Sequence, residues 1–319
     1  MVPSALPILA VVGPTASGKT AFSIALAQAL GGSRNVEIVS ADAFQLYRGM
    51  DVGTAKITPQ QMQGIAHHQI DVLDILDEAS VAVYQRSARA DIEAILDRGK
   101  IPILVGGSGL YVSAALDELD FPGHDPQIRA ELDGVFTEYG LEPLQAELRD
   151  LDPASARTID MNNPRRVIRA LEVVRLTGKS YTPVFPRHTR HYDRAQIFGI
   201  RRSVDTLNAS INARVVEMFD GGLLEETQYL ASIGLRQAHT AKRATGYTQA
   251  LDVIDGKLDI GDAIEQTQLL TRRLAKKQRT WFRADPRIRW LDLDAHSSPE
   301  IDEQMRSYAH AIASAVTHA

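Results

Sequence analysis

Residues 7–12, PILAVV, form an unbroken apolar run, and after a Gly-rich interruption Ile24, Leu26, Ala27 and Leu30 recur at helical spacings before Gly31 and Gly32. A short continuous run is the mark of a strand covered on both faces, and the three-to-four spacing is that of an amphipathic helix. The chain repeats this alternation. VEIVSAD (36–42) reads as a second buried strand, and 80–99 as a helix with one face at Val83, Ser87, Ala90, Ala94 and Leu96, closed by Gly99. KIPILVGG (100–107) reads as a third strand that stops in glycines. Strands alternating with helices predict a parallel sheet, with working loops at the strands' carboxyl ends.

Around DFPGHDP (120–126) the texture changes, and to about residue 195 the pattern is helical, with no convincing strand. IFGIRR (197–202) returns to strand character. TRRLAKKQRTWFR (271–283) reads as an amphipathic helix, with Arg272, Lys276, Arg279 and Arg283 on one face and Leu270, Leu274 and Trp281 on another. IRWLDL (288–293) is a last short strand candidate. The expected fold class is α/β: a parallel sheet core, P-loop NTPase-like because GPTASGKT (13–20) joins its first strand to its first helix, with an inserted all-helical domain. Its parts are residues 1–119 (first part of the core), 120–195 (basic helical insertion) and 196–319 (rest of the core with C-terminal helices).

Composition narrows the class. With 319 residues, 44% hydrophobic and 24% charged, the chain resembles an ordinary globular protein. It has no cysteine, so neither disulfides nor a Cys-ligated zinc is available. The apolar start, MVPSALPILAVVG, lacks a positive leader and runs into the Gly-rich loop, so it reads as a strand and not a signal peptide. No stretch approaches the roughly 18 apolar residues that would cross a bilayer. A cytoplasmic protein without a membrane partner is expected, and the acidic remainder of the chain points to a monomer. The net charge of −5 hides a segregation: 157–202 holds eleven Lys/Arg against three Asp/Glu, and 271–289 holds eight against one. Such blocks have the form of a footprint for a polyanion, although solvated helix faces would look the same.

Residues 13–20 carry the strongest chemical signal. Gly13, Pro14, Thr15, Ala16, Ser17, Gly18, Lys19 and Thr20 match the phosphate-cradling pattern G-x-x-x-x-G-K-[ST], placed between a strand and a helix as its mechanism requires. Loop amides and the helix N-terminus supply donors to an anion, Lys19 adds a point charge, and the Thr20 hydroxyl is the expected Mg²⁺ ligand. An ATPase or GTPase usually adds a strand that ends in an acid near the metal. Here IPILV ends in GGSGLY, and no N-K-x-D motif is present. One strand does deliver an acid, Asp42.

GPTASGKT, SADAFQLYRGMDVGTAK (40–56), LVGGSGLY (104–111) and NPRRVIRALEVVRLTGK (163–179) together resemble the bacterial tRNA dimethylallyltransferases. GLLEE, ATGYTQ and TRRLAKKQRTWFR extend the likeness over roughly residues 8–290. The resemblance implies transfer of a dimethylallyl group from its diphosphate to N6 of adenosine 37 beside the anticodon, with the loop holding the diphosphate and Mg²⁺ assisting. It implies Asp42 as general base, and Ser108 (Thr in many relatives) and Arg214 as diphosphate contacts. The target base must leave its stack, so Asp42, Ala43, Phe44 and Gln45 are placed to line its pocket together with Ser108. The likeness also implies tRNA contacts from Arg129, from the stretch Arg165, Arg166, Val167, Ile168 and Arg169, and from Arg243 with Gly246 and Tyr247 near it.

Three other readings remain open on the residues alone. An isopentenyltransferase acting on free AMP or ATP would share the core chemistry but would not need a basic insertion. A P-loop small-molecule kinase would need a second acidic metal partner. A non-catalytic RNA-binding module would leave the intact loop and Asp42 unexplained. The histidines at 67–68 and 188–191 lack zinc-site spacing and read as loop and surface residues.

Overall fold

A computed structural model of the chain describes residues 6–181, 188–293 and 298–317. The apolar residues 1–5, read above with the first strand, lie outside them, as do 182–187 within the first basic block. The first half of the chain runs β1 (Ile8–Val12), α1 (Lys19–Ala29), β2 (Val36–Ser40), α2 (Pro59–Met62), β3 (His67–His68), α3 (Val81–Asp97), β4 (Ile101–Gly106) and α4 (Gly109–Leu116). Four helices follow: α5 (Pro126–Tyr139), α6 (Glu142–Leu151), α7 (Pro153–Thr158) and α8 (Pro164–Thr177). The rest is β5 (Ala195–Arg201), α9 (Val204–Asp220), α10 (Leu223–Ser232), α11 (Tyr247–Ile254), α12 (Ile260–Arg283), β6 (Ile288–Asp292) and α13 (Ser298–Thr317).

The six strands form one sheet in the order β3-β2-β4-β1-β5-β6, and every neighbouring pair is parallel. Ala10 of β1 lies between Leu104 of β4 and Ile197 of β5, so β1 and its loop sit mid-sheet. All five residues of β1 are buried, as are all five of β2, which is why these runs show no alternation. Phe22 and Leu26 of α1 share a core cluster with Leu9 and Val11 of β1, Ile103 of β4, and Met305, Ala309 and Ile312 of α13. Each such side chain contributes on the order of 2 kcal/mol through burial.

The chain divides into two compact units, one of residues 1–117 with 190–319 and the other of 118–189. The second is built on α5 to α8, around Leu132, Leu144, Leu148, Val167, Ile168 and Leu171. Inside it the buried Glu172 carboxylate takes the Arg169 guanidinium at 2.8 Å and the His124 ring.

Three sequence expectations need correction. In α3 the buried face is Tyr84, Ala88, Ile92 and Ile95, whereas Val83 is 48% exposed. The bulkiest side chains take the core positions, and the Tyr84 hydroxyl donates to the Ser40 carbonyl at 2.9 Å. In α12 the buried positions are Ala263, Thr267, Ala275 and Phe282, and Leu274 is exposed among the basic residues. Ala275 clusters with Ala16, Leu207 and Ile211, a close approach that only a small residue permits. His67 and His68 are not loop residues: they form the half-buried edge strand β3, and His68 Nε2 lies 2.7 Å from Glu37.

Glu37 is the buried charge of this sheet edge, bonded by Arg98 at 2.6 Å and Lys100 at 3.0 Å as well as His68. Burial pushes its pKa up, but the hydrogen bonds from Arg98, His68 and Lys100 outweigh that and lower it to about 2. A depressed carboxylate pKa stabilises the fold above the unfolded value near 4.5, and the gain fades as pH falls towards 2. Glu37→Gln should therefore cost about 3 kcal/mol at pH 7 in urea unfolding and flatten the acid limb below pH 4.5. An unchanged acid limb would refute the assignment.

Candidate active site

The loop after β1 needs backbone that other residues tolerate poorly. Gly13 has φ +148, and a Cβ on it would lie 2.9 Å from the Ile200 carbonyl oxygen. Gly18 has φ +96, and a Cβ there would meet Met305 Cε at 2.7 Å. Between them Ala16 also sits at positive φ, 59°. Such a run curls its amides towards one centre in front of α1, an anion nest at a helix N-terminus. The Ser17 hydroxyl is buried there and has no hydrogen-bond partner among the described residues.

Lys19, the first residue of α1, donates from Nζ to the Pro14 carbonyl at 2.6 Å and so closes over its own loop. Its pKa is lowered to about 7, chiefly by burial and also by the Arg214 charge, with Asp42 offsetting part of this. Arg214 comes from α9, in the second half of the chain. Burial lowers its pKa as well, and it makes no ion pair among the described residues. Two cations thus face the nest without a carboxylate close enough to neutralise them, which is a site prepared for an anion.

Asp42 stands two residues past the end of β2. Its Oδ1 accepts from the amides of Phe44 (2.9 Å) and Gln45 (3.4 Å), while Oδ2 accepts no hydrogen bond among the described residues. One oxygen fixes the turn and the other is left without a protein donor, so capping the turn does not use up the carboxylate. Ser108, at the start of α4, holds the same turn by accepting from the Ala43 amide at 3.4 Å. Gln45 is committed to the protein: Nε2 donates to the Thr54 carbonyl, and Oε1 accepts from Ser40 Oγ. Phe44 packs against the core cluster around Tyr47 and Met50.

A cavity of about 1040 Å³ brings Lys19, Thr20, Asp42, Gln45 and Arg214 onto one wall system, with Ile24, Ile38, Ile57, Ile70 and Met305 supplying apolar surface. Charged and apolar walls in one cavity suit an amphiphilic anion. Thr15 differs from expectation. Its amide donates to Gln278 Oε1 at 2.8 Å, so that N–H is already taken.

The expected nucleic-acid contacts separate into two kinds. Arg165, Arg166 and Arg243 are exposed. Arg129 pairs with Asp133 at 3.0 Å, and Arg169 is held by Glu172 and by the Gly123 and Pro122 carbonyls. Val167 and Ile168 are core residues of the helical unit, so their side chains present no surface. Tyr247 is fully buried, and its hydroxyl donates to Glu226 at 2.5 Å. It anchors the cavity wall and cannot meet RNA. Glu226 in turn accepts from the amides of Asp51 (3.0 Å) and Val52 (2.8 Å). Sequence reasoning missed the roles of Glu226 and Gln278. Each is one polar residue in a helix, and the main-chain amide it accepts from is more than 170 positions away.

The family model described as IPP transferase matches residues 45–285. The chain is 48% identical over 296 residues to the tRNA dimethylallyltransferase of Kineococcus radiotolerans, covering 92% of this chain and 93% of that one. It is 49% identical to that of Kocuria rhizophila, covering 90% of each. Among solved structures it resembles the tRNA isopentenylpyrophosphate transferase of Bacillus halodurans, with TM-score 0.68, 37% identity, and 98% and 99% coverage. A eukaryotic dimethylallyltransferase acting on tRNA superposes with TM-score 0.80 at 25% identity, over 95% of this chain and 78% of that one.

The state of Lys19 gives a measurable consequence. A bound anion restores its charge, so binding above pH 7 must take up a proton, and affinity falls as pH rises. Calorimetry with pyrophosphate at pH 8 in buffers of different ionisation enthalpy should show more proton uptake for the wild type than for Lys19→Arg, which stays charged. Equal uptake in both would remove Lys19 as the titrating group.

Proposed function

We propose that this chain, which belongs to the IPP transferase family, transfers the dimethylallyl group from dimethylallyl diphosphate to N6 of adenosine 37 in the tRNA anticodon loop, releasing diphosphate. The observation that carries this reading is the meeting of the Lys19–Arg214 cation pair and the Asp42 carboxylate in one part-apolar cavity.

In the reaction, the N6 lone pair attacks the allylic carbon and the C–O bond breaks, its electrons leaving with the diphosphate. Lys19, Arg214 and the loop amides stabilise that developing charge. The adenine amine is a poor nucleophile until it can lose a proton, and Asp42 Oδ2 is the acceptor the cavity offers. Oδ1 stays bonded to the turn, which holds Oδ2 in place through the transfer. The adenosine reaches this carboxylate only when flipped from its stack.

Thr20 and the diphosphate would hold Mg²⁺. The Thr20 hydroxyl makes no hydrogen bond among the described residues, and no group of three or more His, Asp or Glu that could hold a metal occurs among them. Such a sparse donor set fits a cation that keeps its waters and binds through phosphate oxygens. Mg²⁺ would supply charge neutralisation to the leaving group. Among the described residues no helix is long and apolar enough to cross a membrane, consistent with work on cytoplasmic tRNA.

The test is nucleoside mass spectrometry after incubating unmodified tRNA with enzyme, Mg²⁺ and dimethylallyl diphosphate, with AMP in a parallel tube. One prenyl group on one tRNA adenosine and none on AMP is expected, and prenylated AMP alone would replace this reading with free-nucleotide transfer. Asp42→Asn keeps an acceptor for the turn amides and should stay folded while losing about 10²–10⁴-fold in single-turnover rate. Near-normal turnover would end the general-base assignment.

The arginines of the helical unit should divide by role. Replacing both Arg165 and Arg166 with Ala should raise the KM for tRNA and reduce the salt slope of binding by roughly one to two units, at unchanged melting temperature. Arg169→Ala should instead lower the melting temperature, because it leaves the buried Glu172 with less compensation. The opposite pattern would exchange their roles.

A further inference from the structure

A loop of the ATP-binding pattern that holds a diphosphate needs a feature that excludes the third phosphate. In nucleotide-binding loops of this pattern the amides cradle the inner phosphates, and the lysine reaches towards the outer one. The outer end normally adjoins the strand whose terminal acid serves the metal and water. In this chain that neighbouring strand is β4, which ends at Gly106 and is followed by Gly107, with no acid.

The space above Gly107 is filled from elsewhere. A Cβ on Gly107 would lie 2.8 Å from Gln278 Nε2 and 3.2 Å from the Gly13 carbonyl oxygen. The same glutamine's Oε1 accepts from the Thr15 amide at 2.8 Å. Gln278 therefore spans the gap between the end of β4 and the start of the phosphate loop, and it lines the same cavity as Lys19 and Thr20.

Its placement is enforced by α12. Ala275, three residues before it, packs with Ala16, and Trp281, three residues after it, lies so close that a Cβ on Gly109 would meet its ring at 2.2 Å. Residues at this spacing share a helix face, so the side chain is pinned between two contacts with the loop region. A neutral amide with a pinned backbone is a stable plug, because it satisfies an amide donor without adding charge to the nest.

We propose that Gln278 determines the specificity of the phosphate loop, closing its outer end so that two phosphates are retained and a third is refused. This rests on the diphosphate-donor reading above. A triphosphate would have to displace Oε1 from Thr15 and push the carboxamide away from Gly107. A diphosphate uses the amides nearer α1 and leaves the plug in place.

The experiment uses the full chain with Mg²⁺, measuring Kd for pyrophosphate and for tripolyphosphate by calorimetry, with prenyl transfer to tRNA assayed on the same preparation. The wild type should favour pyrophosphate by about tenfold or more. Gln278→Ala should bring the two within roughly threefold, mainly by gaining tripolyphosphate affinity. Gln278→Glu keeps the acceptor for Thr15, covers the case of a poorly folded Ala variant, and should weaken tripolyphosphate more than pyrophosphate. Equal weakening of both anions by the Glu variant, or an unchanged ratio in the Ala variant, would overturn the proposal. A wild type without the preference but active in prenyl transfer would overturn it alone. Loss of both pyrophosphate binding and prenyl transfer in the wild type would sink the donor reading with it.

Discussion

A Cβ on Gly106 would lie 2.2 Å from the Ala41 carbonyl oxygen, and the rest of the site depends on that close approach. Here the carboxyl ends of β2 and β4 are joined more tightly than side chains would allow. The Ala41 amide donates to Val105 at 2.7 Å, and the Ser108 amide donates back to Ala41 at 3.4 Å. The turn that carries Asp42 starts from this junction and is held by Ser108 Oγ. The carboxylate beside the phosphate loop is thus fixed by main-chain geometry and is already in place before any ligand arrives.

Electrostatics follows from this geometry. Lys19 and Arg214 repel each other and are both partly desolvated, so each is less inclined to hold its proton than in water. Asp42 tempers this without pairing directly. An arriving anion would relieve the repulsion and its departure would restore it, so the same pair favours binding and opposes release. The apolar wall of Ile24, Ile38, Ile57, Ile70 and Met305 gives a hydrocarbon tail somewhere to lie.

The far half of the chain supports this arrangement. Glu226 and Tyr247 tie the 51–53 segment to the helices after β5, and α12 presses Ala275, Gln278 and Trp281 onto the loop region. Residues that a reader would assign to RNA because of their neighbours in sequence prove to be structural. Tyr247 is one, and Val167 and Ile168 are others. In a basic helical stretch the motif marks the element, and only burial says which of its side chains can reach a partner.

The local pattern sufficed for the alternating strands and helices, for the loop from Gly13 to Thr20, and for an acid delivered at Asp42. These features arise from nearby residues: continuous apolar runs for strands covered on both faces, glycines where φ must be positive, and a lysine at a helix start. The pattern misplaced the buried faces of α3 and α12, where side-chain bulk and close packing against distant elements decide which stripe turns inward. It also missed β3, whose two histidines belong to the sheet because Glu37 and the β2 backbone hold them there. Tertiary structure alone joined Arg214 to Lys19, Glu226 to the 51–53 amides and Gln278 to Thr15. Those contacts span stretches of chain with no periodicity linking their ends, so only the folded backbone determines them.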